Sequence, residues 1–267
     1  MAEYTIHFGE ALTTMEGLPD QAFDVAYLDL PFSTTALGWD RLIPVAPMWQ
    51  QLRRLIKPRG AIICHAQDPF SSLLLASNVK GFRHKWIWHK RQSANFALTK
   101  VMPLTVTEDI LIFTPKGNGV TYYPQKRKGK LRWIGSKNSS KHGRGFGSIK
   151  QVYYQSDERY PVNLIEFPAV ARRHSLHPSQ KPLTLATYLY KTYTKPGDRV
   201  LDISMGSATS VIAGLKNQRQ VTGIENDPEI FDLANRRIEF YLQTGCDLLP
   251  KDLAAPFTGL PLLQQGV

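Results

Sequence analysis

Arg199-Val200-Leu201-Asp202-Ile203-Ser204-Met205-Gly206-Ser207-Ala208-Thr209 is the stretch on which the reading of this chain turns. A short apolar run ends at an acid, small residues form a turn, and Thr209 to Asn217 continues with helical spacing. Upstream, Leu183 to Tyr193 reads as a helix closed by Lys195-Pro196-Gly197-Asp198. Downstream, Gln220 to Ile224 reads as a strand ending in Glu225, and Pro228 to Leu242 as a long helix. Strands alternating with helices predict an α/β domain with a parallel sheet. Small residues at such a turn let a ligand approach the backbone, and the following helix offers free N–H groups. Glu225, at the carboxyl end of the next strand, suits the two ribose hydroxyls of a nucleoside cofactor. Many α/β proteins carry a turn of this kind for packing alone, so the stretch fixes the fold more firmly than the ligand.

The same rhythm occupies the first part of the chain. Phe23-Asp24-Val25-Ala26-Tyr27-Leu28 reads as a buried strand that ends at Asp29. Val45 to Ile56 has helical spacing, and Lys57-Pro58-Arg59-Gly60 is expected to stop it. Ala61 to His65 is a short apolar strand and Pro69 to Val79 the next helix. Trp86-Ile87-Trp88 and Asp109 to Phe113 are later strands. Asp29-Leu30-Pro31-Phe32 follows the first buried strand, where α/β folds place chemistry. An acid and a backbone carbonyl at Leu30 or Pro31 supply two hydrogen-bond acceptors. The aromatic Phe32, after a proline-stiffened turn, offers a face on which a base can stack. As an isolated tetrapeptide this is equally a strand-terminating turn.

Charge points to the partner. The 267 residues carry 33 Lys and Arg against 22 Asp and Glu, a formal net charge of +11, which suits a polyanion. Residues 80–150 hold roughly sixteen of the cations against two acids, Glu108 and Asp109. The densest part contains Lys126, Arg127, Lys128, Lys130, Arg132, Lys137, Lys141 and Arg144, interleaved with glycine. Such cations hold phosphates, contacts that carry no sequence information of their own. Arg132, Asn138, Arg144 and Gln151 are the side chains there suited to reading base edges. Trp133 and Phe146 can stack on bases or anchor the segment. A flexible cationic segment predicts low sequence specificity.

Two lone cysteines, Cys64 and Cys246, form neither a disulfide framework nor a metal cluster, and a reducing cytoplasmic setting is expected. No apolar run has the length of a membrane span, and Met1-Ala2-Glu3-Tyr4 does not read as the start of a signal peptide. His65, His84, His89, His142 and His174 lack metal-ligand spacing, and no metal is expected.

Taken together, these motifs resemble the beta-class DNA amino-methyltransferases, which transfer a methyl group from S-adenosylmethionine (AdoMet) to an exocyclic base amino group. Asp29-Leu30-Pro31-Phe32 resembles the family's Asp-Pro-Pro-Tyr catalytic motif, and Ser33-Thr34-Thr35 with Trp39-Asp40 its extension. His177-Pro178-Ser179-Gln180-Lys181-Pro182 resembles the element before the helix that flanks the cofactor. Lys195 to Asp202 leads into the glycine motif, Met205-Gly206-Ser207-Ala208-Thr209. Gly223-Ile224-Glu225 resembles the ribose-binding segment. Phe8-Gly9-Glu10-Ala11-Leu12 resembles the N-terminal element near the cofactor adenine, with Glu where Asp is usual. The catalytic motif precedes the cofactor motif, which is the permuted beta-class order. Three positions depart from the pattern. Ser204 replaces an aromatic and removes an apolar wall. Ala208 replaces a glycine, so its methyl crowds the cofactor if the residue takes positive φ. Phe32 replaces Tyr, which keeps stacking and loses a hydroxyl.

The resemblance implies a doubly wound, mostly parallel seven-stranded sheet of the Rossmann-like methyltransferase type. It also implies a bound AdoMet, double-stranded DNA as partner, no membrane, and a homodimer as one expected arrangement. Asp29 with Leu30, Pro31 and Phe32 would be catalytic. Asp202, Gly206, Ser207, Thr209, Glu225, Lys181 and Glu10 would surround the cofactor. The expected layout is a catalytic half over residues 1–114, an inserted target-recognition region over 115–176, a cofactor half over 177–248 and a tail over 249–267. Asp at the head of the catalytic motif favours adenine N6. Cytosine N4, an RNA substrate, and a DNA-binding protein with a decayed cofactor site stay open as alternatives.

Overall fold

In a computed structural model, the structure describes residues 3–31, 43–94, 96–117, 119–134, 154–171, 174–177, 179–250 and 253. They fall into two compact units, one of residues 1–123 with 163–267 and one of Pro124–Val162.

The larger unit is built on one sheet. Its strands are β1 (Tyr4–Phe8), β2 (Phe23–Leu28), β3 (Ile56–Ala66), β4 (Phe82–Ala94), β5 (Thr105–Phe113), β8 (Leu164–Glu166), β9 (Arg199–Asp202) and β10 (Gln220–Glu225). The spatial order is β1-β10-β9-β2-β3-β5-β4-β8. The five strands from β1 to β3 are mutually parallel, β5 runs against β3 and β4, and β8 lies parallel to β4. The seven strands expected from the resemblance are joined at one edge by the three-residue β8.

Side chains alternate across the sheet with period two and fill two cores. On one face Val25, Tyr27, Ala61, Ile63, Val200 and Val221 pack under α4 (Leu183–Tyr193), α5 (Thr209–Lys216) and α6 (Pro228–Thr244). On the other Ala26, Leu28, Ile62, Cys64, Leu201 and Ile224 pack under α1 (Ala11–Glu16), α2 (Val45–Leu55) and α3 (Phe70–Ser77). Burial on both faces is why these strands read as continuous apolar runs. The chain leaves β9 toward β10 and leaves β2 toward β3, in opposite directions. The sheet order therefore switches between β9 and β2, and their carboxyl ends open a crevice.

Three local expectations change. Lys57-Pro58-Arg59-Gly60 does not terminate the helix; α2 stops at Leu55 and β3 already begins at Ile56. Glycine suits that strand, because a Cβ at Gly60 would lie 2.5 Å from the Asp24 carbonyl oxygen. The segment expected as a 115–176 insertion is shorter as a compact unit. Thr121 N–H donates to the Arg59 carbonyl (2.9 Å), Tyr123 N–H to the Thr192 carbonyl (2.7 Å), and β8 joins the main sheet. The segment also has regular structure of its own: β6 (Arg127–Ile134) and β7 (Tyr154–Arg159) pair antiparallel. No helix among the described residues is long and apolar enough to cross a membrane.

Candidate functional site

The carboxyl ends of β2, β9 and β10 bring Asp29, Asp202 and Glu225 to one edge of the sheet. After β9 the chain turns through Ser204 to Ala208 into α5. Gly206 has φ +53°, and a Cβ built on it would meet nothing within 4 Å. The turn therefore faces open space, as a backbone that receives a ligand must. Ala208 takes φ +63° at the head of α5 and is fully buried. The left-handed backbone costs an alanine about 1 kcal/mol. Burial of its methyl returns about 0.8 kcal/mol. The methyl packs inside the core on this side of the sheet.

Glu225 is held by backbone. Its Oε2 accepts from Gly206 N–H (3.0 Å), and its Oε1 accepts from the N–H groups of Asn226 and Asp227 (2.9 Å each). Burial nevertheless raises its pKa. Asp202 is 2% exposed and accepts from Ser204 N–H at 3.0 Å. Burial, with Asp29 and Glu225 adding to it, pushes its pKa up to about 7. Beside Glu225, the paired residue Phe8 is 58% exposed with its ring 5.5 Å from that of Phe231. A nucleoside with a cationic tail suits this donor set. The glycine turn admits it, the carboxylate has lone pairs left for ribose hydroxyls, an aromatic face stands beside it, and acids line the crevice.

Asp29 follows β2 with its side chain 18% exposed, and its Oδ1 lies 2.7 Å from Lys181 Nζ. Leu30 is buried and Pro31 half-buried. The Ser204 hydroxyl donates to the Asp29 carbonyl at 3.1 Å. The residue that removes an apolar wall from the glycine motif thus ties the two motifs together.

Several expected site residues sit elsewhere than their motifs suggest. Lys181 meets Asp29 and Glu108. Ser207 and Thr209 turn their hydroxyls to Arg237, whose Nη1 reaches the Ser207 carbonyl (2.6 Å), Ser207 Oγ (3.2 Å) and Thr209 Oγ1 (3.0 Å). Glu10 caps α1, accepting from Thr13 N–H at 2.7 Å, next to the end of β1. Phe32, Ser33-Thr34-Thr35, Trp39-Asp40, Lys137, Asn138, Lys141, Arg144, Phe146 and Gln151 lie outside the described residues. In the smaller unit Arg127, Lys128, Lys130 and Arg132 are exposed along β6. Two cations there have acidic partners, Lys126 with Glu158 at 2.8 Å and Lys128 with Asp157 at 3.6 Å.

The sequence reading missed Glu108, His65, Tyr27 and Arg237. Only Glu108 left a trace, as one of two acids within a strongly basic span.

A protein-family profile described as DNA methylase matches residues 37–236, from a point downstream of Asp29 through the turn from Ser204 to Ala208 into α6. The chain belongs to this DNA methylase family. Its members act on base amino groups at N6 or N4, and the class is the beta class named above. Among curated DNA methylase relatives, the type II methyltransferase M.BglI of Bacillus subtilis is 40% identical over 72 residues, 27% of this chain and 21% of that protein. The type II methyltransferase M2.MboI of Moraxella bovis is 34% identical over 83 residues, 30% of each chain. The alignment thus spans under a third of either relative. The DNA adenine methyltransferase YhdJ of Escherichia coli (strain K12) is 23% identical over 266 residues, covering 92% of this chain and 86% of that one. The PvuII DNA methyltransferase, cytosine-N4-specific, shares the fold with a TM-score of 0.66 over 95% of this chain and 92% of its own, at 13% identity.

Proposed function

We propose that this chain is an AdoMet-dependent DNA methyltransferase that modifies the N6 amino group of adenine in double-stranded DNA. The observation that carries the proposal is the 3.1 Å hydrogen bond from Ser204 to the Asp29 carbonyl. It ties a nucleoside-type turn to an acid at the switch point of the sheet, so donor and acceptor sites adjoin. Membership in the DNA methylase family supports the chemistry. Relatives include an enzyme named for adenine and one named for cytosine N4, and Asp at the head of the motif favours adenine on resemblance.

In this reading Glu225 accepts ribose hydroxyls, Gly206 admits the cofactor to the backbone, and Phe8 offers its ring to the adenine. Bound AdoMet supplies the electrophilic methyl on its sulfonium. Asp29 accepts one hydrogen bond from the target amino group and the carbonyl of Leu30 or Pro31 the other. Two acceptors draw that nitrogen toward a tetrahedral, more nucleophilic form, and Phe32 stacks the extruded base. Placement and fixed dipoles then supply the rate. Lys126, Arg127, Lys128, Lys130 and Arg132, with Lys137, Lys141 and Arg144, hold phosphates with low sequence specificity.

The test is incubation of unmethylated duplex DNA with labelled AdoMet, followed by nucleoside analysis and mapping of the modified positions. Label in N6-methyladenine at many sequence contexts is expected. Asp29→Ala should lower the rate about 100-fold or more. Absence of label from DNA rejects the function, label in N4-methylcytosine rejects the base, and one strict target motif rejects low specificity. Full activity of Asp29→Ala rejects the mechanism.

A further inference from the structure

The carboxylate of Asp29 is the outer end of a buried network. Lys181 Nζ lies 2.7 Å from Asp29 Oδ1 and 3.3 Å from Glu108 Oε1. Glu108 Oε2 lies 3.6 Å from Lys90 Nζ. His65 Nδ1 is 3.1 Å from Glu108 Oε1, and His65 Nε2 is 3.0 Å from the Tyr27 hydroxyl. The side chains of Lys181 and Glu108 are 8% and 6% exposed, and His65 is fully buried.

Charges at this depth persist only when paired and hydrogen-bonded. Here two carboxylates face two ammonium groups. Burial alone would lower the Lys181 pKa, but Asp29 and Glu108 more than offset it and raise that pKa. Burial would likewise raise Glu108, whereas Lys181, His65 and Lys90 hold it below the usual carboxylate range. The parts stand on separate strands: Tyr27 on β2, His65 on β3, Lys90 on β4 and Glu108 on β5. Groups fixed by rigid elements hold their geometry better than groups on loops. Lys181 itself comes from the segment ahead of α4 and meets these partners from there.

We propose that Lys181 is a positioning residue for methyl transfer. It clamps one oxygen of Asp29 and leaves the other aimed at the target amino group, with Glu108, His65 and Tyr27 fixing Lys181 from behind. This rests on the methyltransferase reading above. An unclamped carboxylate rotates about its Cα–Cβ and Cβ–Cγ bonds and presents either oxygen. Misplacement by about 1 Å at such a position costs on the order of 100-fold in rate.

The experiment compares wild type, Lys181→Met, Lys181→Arg and the near-isosteric Glu108→Gln. Steady-state kinetics on duplex DNA are paired with calorimetric titration of AdoMet and a thermal melt of each variant. Lys181→Met should lose about 100-fold in kcat, while the KM for DNA and the AdoMet Kd stay within about threefold. Lys181→Arg should recover kcat to within about tenfold of wild type, and Glu108→Gln should lose about tenfold. A folded Lys181→Met with kcat within about threefold of wild type overturns the proposal. So does a loss confined to AdoMet affinity, which would assign Lys181 to the cofactor. If Lys181→Met fails to melt cooperatively, Glu108→Gln decides, and an unimpaired kcat there overturns the proposal. Wild type that transfers no label to DNA defeats the methyltransferase reading itself. An active wild type with unimpaired variants defeats the positioning role alone.

Discussion

Asp202 ends a parallel strand with almost none of its surface in water, and the charged groups acting on its carboxylate are the acids Asp29 and Glu225. Its pKa is raised to about 7, so the folded state keeps a proton that the unfolded chain releases near pH 4. The folded state binds more protons across that window, and stability falls as pH rises through it. The contribution is fully present below about pH 4 and is lost as pH climbs to about 7. Its full size is on the order of 4 kcal/mol. Asp202→Asn should flatten that slope. A thermal melt series from pH 5 to pH 8 should show the variant gaining on wild type toward the alkaline end. Parallel curves would count against a raised pKa at Asp202. At this scale the sequence is legible where chemistry follows a strand. Asp29, Asp202 and Glu225 each come directly after an apolar run or close one, and all reach the same edge. The pairing of Lys181 with Asp29 and Glu108 is not legible in the sequence, because it depends on tertiary contacts. The role of Ser204 is invisible in the sequence, because its hydroxyl acceptor lies 175 residues away.

Among the elements, α6 does more than cover the sheet. It sends the buried Arg237 under the glycine turn, where the guanidinium also reaches the Asp247 carbonyl at 3.1 Å. Burial brings its pKa down to about 10, which still leaves it charged at neutral pH. Hydrogen bonds from a charged group are worth about 1.5–3 kcal/mol each, although they are not additive. Arg237→Met should therefore destabilise the fold by about 2–4 kcal/mol and weaken AdoMet binding through the loosened turn. Differential scanning calorimetry with and without AdoMet measures both, and an unchanged Tm would remove Arg237 from this role. The helices and strands with strong apolar periods were readable from sequence: α4 runs Leu183–Tyr193, as expected, and α2 and β10 fall within a residue. The missed elements have weak signals for physical reasons. The helix α1 has six residues and β8 three. The strand β6 is exposed along almost its whole length and rich in cations, so it has no apolar period to detect.

On the scale of the whole molecule, the halves are interleaved rather than juxtaposed. The strand β1 has β10 as its sheet partner, and β2 lies between β3 and β9. The permuted motif order was visible in the sequence, but this interleaving follows only from the sheet order. Fragments 1–143 and 144–267, divided between β6 and β7, should therefore fail to fold singly and should assemble when coexpressed. Copurification with one cooperative melt is the expected result. A cooperative melt from 1–143 alone would show that β1 and β2 do not need their distant partners.

The hydrogen bond from Ser204 to Asp29 also sets a clock. Its two ends are 175 residues apart, and at roughly 5–20 residues per second the second is made roughly 10–35 s after the first. Throughout that interval a growing chain carries the acid that would engage a base without the turn that would hold a methyl donor. Ribosome-bound chains and products that end before Ser204 lack that turn altogether.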